Sequence, residues 1–263
     1  MSHKRFYGKI AVITGASKGI GYAIAKRLAN DGADVFLLAS NSKRLKVAAE
    51  TIANESGQKI GYFASDLRTF EGCNRAYQSA MRFSQSCHFL VNSAGATMGG
   101  DFLKQPDREL IDGFSLKLFG AFRLCKVFWP QLKLGAGTVI NIVGGFARTP
   151  DPDFTVATSV NAALAGFSKA LAGQGLRDNI NVNWIHPGMT MTDRMETIFE
   201  ARAKLEGKSR EKLLLEKIAE EKIRRLGNPE DTAALVAFLC SSEARHINGV
   251  GIPVDGGAAK GYY

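Results

Sequence analysis

A glycine-rich turn near the start of the chain constrains the fold most strongly. An apolar, β-branched run over 9–14 stops at Gly15, and Gly19 and Gly21 follow in the spacing G-x-x-x-G-x-G. An amphipathic segment over 22–31 then has apolar residues at helical spacing. A strand, tight turn and helix in this order direct free backbone N–H groups and the positive end of the helix dipole at one place, which favours an anion. The turn alone is also compatible with a purely structural role, but its context predicts a dinucleotide site.

Composition limits the class of protein. With 263 residues, 45% hydrophobic and 22% charged, the chain fits one large α/β domain or two small ones. Its four scattered cysteines form no C-x-x-C pair and predict neither a disulfide nor a metal site. The net charge of +9 comes without a Lys/Arg block or an RNA-binding signature. Since no run is long enough to span a bilayer and no apolar signal region is apparent, we expect a cytoplasmic protein without nucleic-acid or membrane partners.

The end of the second predicted strand, 33–39, indicates which dinucleotide is bound. A carboxylate at this place binds the ribose 2′-hydroxyl of NAD and repels a 2′-phosphate. The sequence instead has Ala39 and Ser40, followed by Asn41, Ser42, Lys43 and Arg44, and Lys18 lies inside the glycine turn. This favours NADP(H) over NAD(H), although Lys43 and Arg44 are also compatible with the start of an exposed helix.

Strands and helices alternate along the rest of the chain. Strands are predicted over 59–64, 89–91, 137–143, 179–185 and 249–254, and helices over 43–55, 108–133, 155–176 and 229–241. A charged helical segment covers 193–225. Alternation of this kind predicts a parallel sheet covered by helices on both faces. No linker or repeat interrupts it, so residues 1–263 are interpreted as a single α/β domain.

Several motifs in a fixed order resemble the short-chain dehydrogenase/reductase family, in particular its 3-oxoacyl-acyl-carrier-protein-reductase-like branch. They cover nearly the whole chain: Thr14 to Gly21, Asp66-Leu67, Asn92-Ser93-Ala94-Gly95, Pro187-Gly188 with Thr192, Arg225 to Asp231, and Val254-Asp255-Gly256-Gly257. The resemblance implies a Rossmann-type, doubly wound parallel sheet and binding of a nicotinamide dinucleotide.

The resemblance also implies which residues bind the cofactor. The phosphates and the adenosine ribose would meet Gly15, Ser17, Lys18, Ile20, Gly21 and Ser40. The adenine would meet Asp66 and Leu67, and the middle of the cofactor would meet or be supported by Asn92, Ala94 and Gly95. The nicotinamide end would meet Pro187, Gly188 and Thr192, and Asn161 is a further candidate for binding the nicotinamide ribose.

The catalytic positions depart from the family pattern. Members usually reduce a carbonyl with an asparagine, a serine, a tyrosine and a lysine; the tyrosine is the general acid, and the lysine lowers its pKa. By the flanking motifs, these positions hold Lys117, Gly144, Ala157 and Asn161 here. No tyrosine lies between Tyr77 and Tyr262, so no small shift recovers the pattern.

Three hypotheses follow from this departure. In the first, the fold and cofactor site remain while carbonyl reduction is lost, and the protein binds a cofactor or metabolite without catalysis. In the second, lysine and asparagine have exchanged positions, so that Lys117 polarises a substrate oxygen and Asn161 binds the ribose, within an oxidoreductase whose site is rebuilt. In the third, Lys117 serves another reaction class, such as elimination or isomerisation.

Other candidate features are weaker. His186 is a candidate acid, and Asp151 and Asp153 lie in a loop that the resemblance places near substrate. Thr155 is interpreted as a helix cap. The segment 193–225 resembles the family's lid. Helices 108–133 and 155–176 are apolar over more than one stripe, so we expect a homodimer or homotetramer with two-fold contacts.

Overall fold

The computed structural model describes residues 4–95, 97 and 99–261. The first three and the last two residues of the predicted domain, among them Tyr262, lie outside the described residues. The described chain forms one seven-stranded sheet in the order β3-β2-β1-β4-β5-β6-β7, and every neighbouring pair is parallel. The strands are β1 Ile10–Thr14, β2 Asp34–Ala39, β3 Ile60–Ala64, β4 Phe89–Asn92, β5 Thr138–Ile142, β6 Asn181–Pro187 and β7 Gly251–Val254. The predicted α/β class and doubly wound parallel sheet are confirmed.

Helices cover both faces of this sheet, as its apolar central strands require. They are α1 Gly19–Asn30, α2 Ser42–Ser56, α3 Phe70–Phe83, α4 Asp107–Gly113, α5 Gly120–Leu134, α6 Thr155–Asp178, α7 Asp193–Glu206, α8 Arg210–Glu221 and α9 Pro229–Leu239. One core lies under α1, α2 and α9, and the other lies under α3, α5 and α6. Short 3-10 turns occur at Phe102–Lys104, Gly145–Ala147, Pro152–Phe154 and Ser242–Ala244.

The direction of strand order reverses between β1 and β4, which opens a crevice at their carboxyl ends. Thr14, the last residue of β1, accepts hydrogen bonds at Oγ1 from the backbone N–H groups of Ser93 and Ala94, both at 2.9 Å. Ala16 in the glycine turn donates to the Leu38 carbonyl of β2 at 3.2 Å. These bonds fix the loops after β1 and β4 beside the end of β2, around the crevice.

Four sequence-based boundaries need correction. Helix α3 was not predicted, because its buried stripe consists only of small residues: Gly72, Cys73, Ala76 and Ala80. The predicted helix 108–133 is divided by a π-helical segment, Phe114–Phe119. The charged segment 193–225 is two helices, separated at Gly207, which is left-handed with a φ of 61°. Strand β6 continues through His186 and Pro187.

The described part of the chain has neither a membrane-spanning helix nor a cluster of metal-binding side chains. No helix there is long and apolar enough to cross a bilayer. No group of three or more His, Cys, Asp or Glu side chains there could hold a metal ion.

Candidate functional site

The glycine turn after β1 requires glycine at two positions. Gly15 has a φ of 67°, and a Cβ there would lie 2.8 Å from the carbonyl oxygen of Ser93. A Cβ at Gly21 would lie 2.5 Å from the carbonyl oxygen of Gly15. Both distances are too short for any side chain. The turn therefore packs tightly against the β4 loop and leaves the amino end of α1 open at the crevice, which suits a pyrophosphate.

The end of β2 presents polar and basic side chains to solvent. Ser40, Lys43 and Arg44 are exposed, as is Lys18 in the glycine turn. Asn41 caps α2, since its Oδ1 accepts a hydrogen bond from the Arg44 N–H at 2.9 Å. Lys43 and Arg44 thus lie in the first turn of α2, as expected if they simply begin an exposed helix. The end of β2, where an acid would bind the ribose of NAD, has no carboxylate.

Asp66, after β3, is already held by a neighbour. Its carboxylate accepts hydrogen bonds from the backbone N–H, Nε and Nη2 of Arg68 at 3.0, 3.0 and 2.9 Å. These bonds lower the pKa of Asp66. Arg68 also reaches Asp112 of α4 at 3.1 Å. Leu67 is only 3% exposed and belongs to the core. Arg68, which the sequence motif did not indicate, is thus the partner of the residue predicted to meet the adenine.

A buried chain of polar side chains supports the sheet beneath the crevice. Asn92 Nδ2 donates to Asn141 Oδ1 at 2.8 Å, and Asn141 Nδ2 donates to Ser168 Oγ at 2.8 Å. Ser168 in turn donates to the Leu164 carbonyl at 2.7 Å. The Asn92 amide nitrogen therefore joins β4 to β5 and, through Ser168, to α6, while its Oδ1 is buried without a hydrogen-bond partner.

Lys117 enters the site from the π-helical segment. The Gly120 N–H donates to the Ser115 carbonyl, five residues back, and this wider turn changes the direction in which neighbouring side chains point. The stem of Lys117 packs on Gly95, where a Cβ would lie 2.9 Å from its Cγ and Cδ. Its Nζ donates to the Val143 carbonyl at the end of β5. Burial lowers the pKa of Lys117 to about 8.

Gly144 and Asn161 contact each other at the position next to Val143. Gly144 has a φ of 112°, and a Cβ there would lie 3.2 Å from Asn161 Nδ2 and 3.4 Å from Oδ1. Asn161 is 4% exposed, and its Oδ1 is buried without a hydrogen-bond partner. The structure therefore brings Lys117 and Asn161 to adjacent residues of one turn, but the partner of the Lys117 amine is a backbone carbonyl and not Asn161. Ala157 is 2% exposed and offers only a methyl group.

Both ring nitrogens of His186 are engaged. Trp184 Nε1 donates to His186 Nε2 at 2.9 Å, and His186 Nδ1 lies 2.9 Å from the Gly144 carbonyl. An indole N–H can only donate, so Nε2 accepts and Nδ1 carries the proton. Burial lowers the pKa of His186, and the charges of Arg148 and Lys117 lower it further. His186 is a neutral positioning group for Gly144, and the candidate role of catalytic acid does not fit this bonding.

The turn after β5 leads into an aromatic and basic surface. Phe146 and Phe154 stack with ring centroids 4.6 Å apart and an angle of 17°. Arg148 Nη2 donates to the Gly261 carbonyl at 2.9 Å, while its Nε is buried without a partner. Thr155 is not the cap of α6, since Phe154 holds that position and the Thr155 Oγ1 has no partner.

The loop after β6 brings the start of helix α7 close to the glycine turn. Thr192 caps α7 by accepting from the Met195 N–H, and its Cγ2 lies 3.4 Å from where a Cβ of Gly19 would be. The Gly188 N–H donates to the Val254 carbonyl at 2.9 Å. Helices α7 and α8 pack together through a small apolar cluster around Phe199, Leu213 and Leu226. Thr192 and the glycine turn therefore share one end of the crevice, as the motifs implied.

Sequence reasoning did not identify Arg68, Arg148, Trp184 or the stacked phenylalanines as parts of the site. Arg148 and Phe154 are separated from the recognised motifs by irregular loop. Trp184 and His186 carried a usable signal, because residues two apart on a strand share one face.

Comparison with known proteins places this geometry among related chains. A family model described as enoyl-(acyl carrier protein) reductase matches residues 15–259. The 3-oxoacyl-[acyl-carrier-protein] reductase FabG of Aquifex aeolicus is 31% identical over 96% of this chain and 98% of its own length.

Solved structures agree over nearly the full length. L-sorbose reductase from Gluconobacter frateurii, complexed with NADPH and L-sorbose, superposes with a TM-score of 0.95 at 31% identity, covering 98% of this chain and 99% of its own. A 7α-hydroxysteroid dehydrogenase complexed with NADH and 7-oxoglycochenodeoxycholic acid has a TM-score of 0.87 at 27% identity, covering 99% and 98%. Since one of these binds NADPH and the other NADH, the fold by itself does not select the cofactor.

Proposed function

Because the chain belongs to the short-chain dehydrogenase/reductase family, we propose that it binds NADP(H) in the crevice at the carboxyl ends of β1, β2 and β4. The observation that carries this proposal is the turn at Gly15 and Gly21, where a Cβ would collide with backbone and the amino end of α1 faces the crevice. Such a turn accommodates a pyrophosphate at the amino end of the helix.

The proposed preference for NADP(H) depends on the end of β2. Ser40 and Lys43 are exposed there, and Lys18 is exposed in the adjacent glycine turn. A hydroxyl and two ammonium groups suit a 2′-phosphate, because charge-assisted hydrogen bonds to phosphate are stronger than neutral ones. Ile20, Ser17 and Ala94 would line the path of the dinucleotide, and Asp66 with Arg68 would border the adenine.

Asn161 is proposed to take the ribose contact that the family lysine makes. Its Oδ1 is buried and lacks a partner, and an unpaired buried acceptor is costly unless a ligand donates to it. A nicotinamide ribose hydroxyl is a donor of the right kind. Pro187, Gly188 and Thr192 would border the same end of the cofactor.

The bound cofactor would supply hydride transfer, while ordinary carbonyl reduction lacks its acid here. Gly144 and Ala157 carry no hydroxyl, and both nitrogens of His186 are engaged. We therefore propose an oxidoreductase-family protein in which the usual reduction is lost or rebuilt. In a rebuilt site the Lys117 ammonium would polarise a substrate oxygen, and the same group could serve elimination or isomerisation.

The second candidate function is binding of cofactor or metabolite without catalysis. The observation that favours it is the engagement of His186 together with the methyl group at position 157, which leaves no neutral acid at the family's catalytic positions. A brisk NADPH-consuming reaction with a simple ketone or aldehyde would exclude this candidate.

Calorimetric titration with NADPH and NADH tests the cofactor proposal. We expect tighter binding of NADPH, because only its 2′-phosphate meets Lys18, Ser40 and Lys43. The variant Ser40→Asp should weaken NADPH at least tenfold by charge repulsion and leave NADH nearly unchanged. Equal affinities in the wild type, or tighter NADH, would overturn the preference, and no binding of either would overturn the cofactor site itself.

A further inference from the structure

Lys117 is a cation without an acidic partner. Its Nζ donates to the Val143 carbonyl, and none of the described carboxylates forms an ion pair with it. Burial lowers its pKa only to about 8, so the amine is still largely protonated at pH 7. A buried charge paired with a neutral carbonyl alone leaves much of its desolvation cost uncompensated.

Arg148, at the end of the turn Gly145–Ala147, is a second cation without an acidic partner among the described ion pairs. Its backbone N–H donates to the Gly145 carbonyl at 2.9 Å, which closes the 3-10 turn after Gly144. Its guanidinium has one described partner, the Gly261 carbonyl, and its Nε is buried and unpaired. An arginine remains charged at any ordinary pH. Among the described ion pairs, none includes Arg148.

The two cations surround one short stretch at the end of β5. Lys117 bonds to Val143, Arg148 ends the turn that follows, and both lie close enough to His186 to lower its pKa. Asp255 is the one acid that acts on His186 in the opposite direction. Its two carboxylate oxygens already accept from the N–H groups of Gly257 and Ala259, at 2.9 and 3.0 Å. Asp151 and Asp153 lie in the loop that follows Arg148, and among the described ion pairs neither is joined to Lys117 or Arg148. Neither cation therefore has an acidic partner in the described part of the chain.

We propose that the ligand taken beside the Val143–Arg148 turn is a small organic anion, a carboxylate or a phosphate ester, whose oxygens meet the Lys117 ammonium and the Arg148 guanidinium. This inference depends on the proposed function only for placing the ligand on the nicotinamide side of the crevice. An oxyanion would satisfy the unpaired Nε of Arg148 and neutralise the charge of Lys117. The stacked rings of Phe146 and Phe154 would cover its apolar part.

Calorimetric titration with malonate, inorganic phosphate and the neutral malonamide tests the inference, with and without saturating NADPH. We expect at least one of the two anions to bind and malonamide not to bind. The variants Lys117→Met and Arg148→Gln should each weaken the anion about tenfold or more, as loss of one charge-assisted hydrogen bond does. Arg177→Gln, which removes an exposed charge at the far end of α6, is the matched control and should leave the affinity unchanged.

Two further measurements keep the outcomes separate. Arg148→Lys retains the charge and should lose less affinity than Arg148→Gln, and the wild-type affinity for malonate should fall with rising sodium chloride. Absence of anion binding, or binding equal in all variants, would overturn the inference. If NADPH binds and no anion does, the anion inference fails alone; if an anion binds and NADPH does not, the cofactor proposal fails alone.

Discussion

Gly144 shows why single substitutions do not simply convert this site into the family pattern. Its φ of 112° lies in the region that favours glycine, and the space that a side chain would enter is occupied by the Asn161 amide. The conformation is held by the His186 bond to the Gly144 carbonyl. The glycine, the asparagine and the histidine therefore fit one another, and a serine at 144 conflicts with the backbone conformation and with the Asn161 amide.

The first prediction is that Gly144→Ser destabilises the protein by about 1–3 kcal/mol, the usual cost of a strained backbone conformation. The free energy of unfolding in urea measures it. Gly145→Ser is the matched control: its φ is not positive, and a Cβ there would lie 3.6 Å from the Pro187 carbonyl, an ordinary contact. Equal stability of both variants would contradict the strain argument.

We also expect that the fourfold variant with Ser at 144, Tyr at 157, Lys at 161 and Asn at 117 does not gain carbonyl reduction.

Lys117 supplies the second prediction. Its pKa is about 8 in the folded protein against an ordinary 10.5, so the unfolded chain binds the proton more strongly. This costs about 3 kcal/mol of stability below pH 8, and the cost fades as pH rises from 8 to 10.5. Lys117→Met keeps the stem on Gly95 but loses one hydrogen bond of about 1 kcal/mol. We expect a net gain of about 2 kcal/mol at pH 7.

Urea unfolding of the wild type and the Met variant across pH 7 to 10.5 measures this effect. The gain should shrink with rising pH and turn into a loss approaching about 1 kcal/mol near pH 10.5, where most of the desolvation cost has faded and the lost hydrogen bond remains. Lys204→Met, at an exposed position of α7, is the control and should show no such trend. A Met variant less stable than the wild type at pH 7 would show that the ammonium is compensated in the folded protein.

At the scale of elements, the π-helical segment and strand β6 shape the site from opposite sides. The segment Phe114–Phe119 turns Lys117 toward the end of β5, while β6 places Trp184 and His186 on one face toward Gly144. The π-helical segment interrupts a helix, whereas β6 keeps the regular alternation of a strand. They act on the same short turn, so the geometry there depends on both elements.

The third prediction concerns the histidine of β6. The pKa of His186 is lower in the folded protein than its ordinary 6.5, because of burial and the charges of Arg148 and Lys117, with Asp255 opposing. The unfolded chain therefore takes up the proton first, and stability is full above pH 6.5 and falls as pH drops below it. Protonation at Nε2 also removes the acceptor of the Trp184 N–H. His186→Gln should lose less stability between pH 7 and 5 than the wild type.

Thermal unfolding at several pH values measures that difference in slope. His88 contributes in the same direction, since burial lowers its pKa and its Nδ1 accepts from the Ile10 N–H at 3.1 Å. His88→Gln should therefore flatten the slope as well, and the double variant should flatten it more than either. Parallel slopes in the wild type and the double variant would refute the assignment of neutral rings.

For the molecule as a whole, the outer face of α5 is the conspicuous uncovered surface. Phe119 and Phe122 are 44% and 50% exposed and, with Phe70, Arg123 and Lys126, line a groove of about 240 Å³. Phe122 also contacts Phe167 of α6, with ring centroids 5.0 Å apart. The two helices predicted to be apolar on several sides thus share an exposed aromatic face. We propose that a second copy of the chain covers it in a homodimer or homotetramer.

The fourth prediction is a multimeric mass in light scattering at micromolar concentration, reduced toward the monomer by Phe122→Asp. The charge would be buried against the partner copy without compensation. Phe70→Asp, at the edge of the groove on α3, should have a smaller effect. A monomeric wild type would contradict the proposed assembly and leave the cofactor proposal untouched.

The sequence alone determined the α/β class, the parallel sheet and the family, because alternating apolar runs and glycine spacing depend on local backbone geometry. It also located the glycine turn, Asn92 and Thr192, and it predicted that Lys117, Gly144, Ala157 and Asn161 stand at the family's four catalytic positions. Helix α3 and the division of 193–225 were missed, since a narrow stripe of small residues and a single left-handed glycine give weak periodic signals.

Only the tertiary structure decided what the altered positions do. That Lys117 bonds to Val143, that Asn161 lies under Gly144, and that His186 is neutral and engaged all follow from residues far apart in sequence meeting at the end of β5. The same meeting places Arg148 at the end of the turn that follows Val143, where its Nε is buried without a partner and no described ion pair includes it. Charge compensation, burial and hydrogen-bond satisfaction are properties of neighbours in space, so no pattern along the chain could have supplied them.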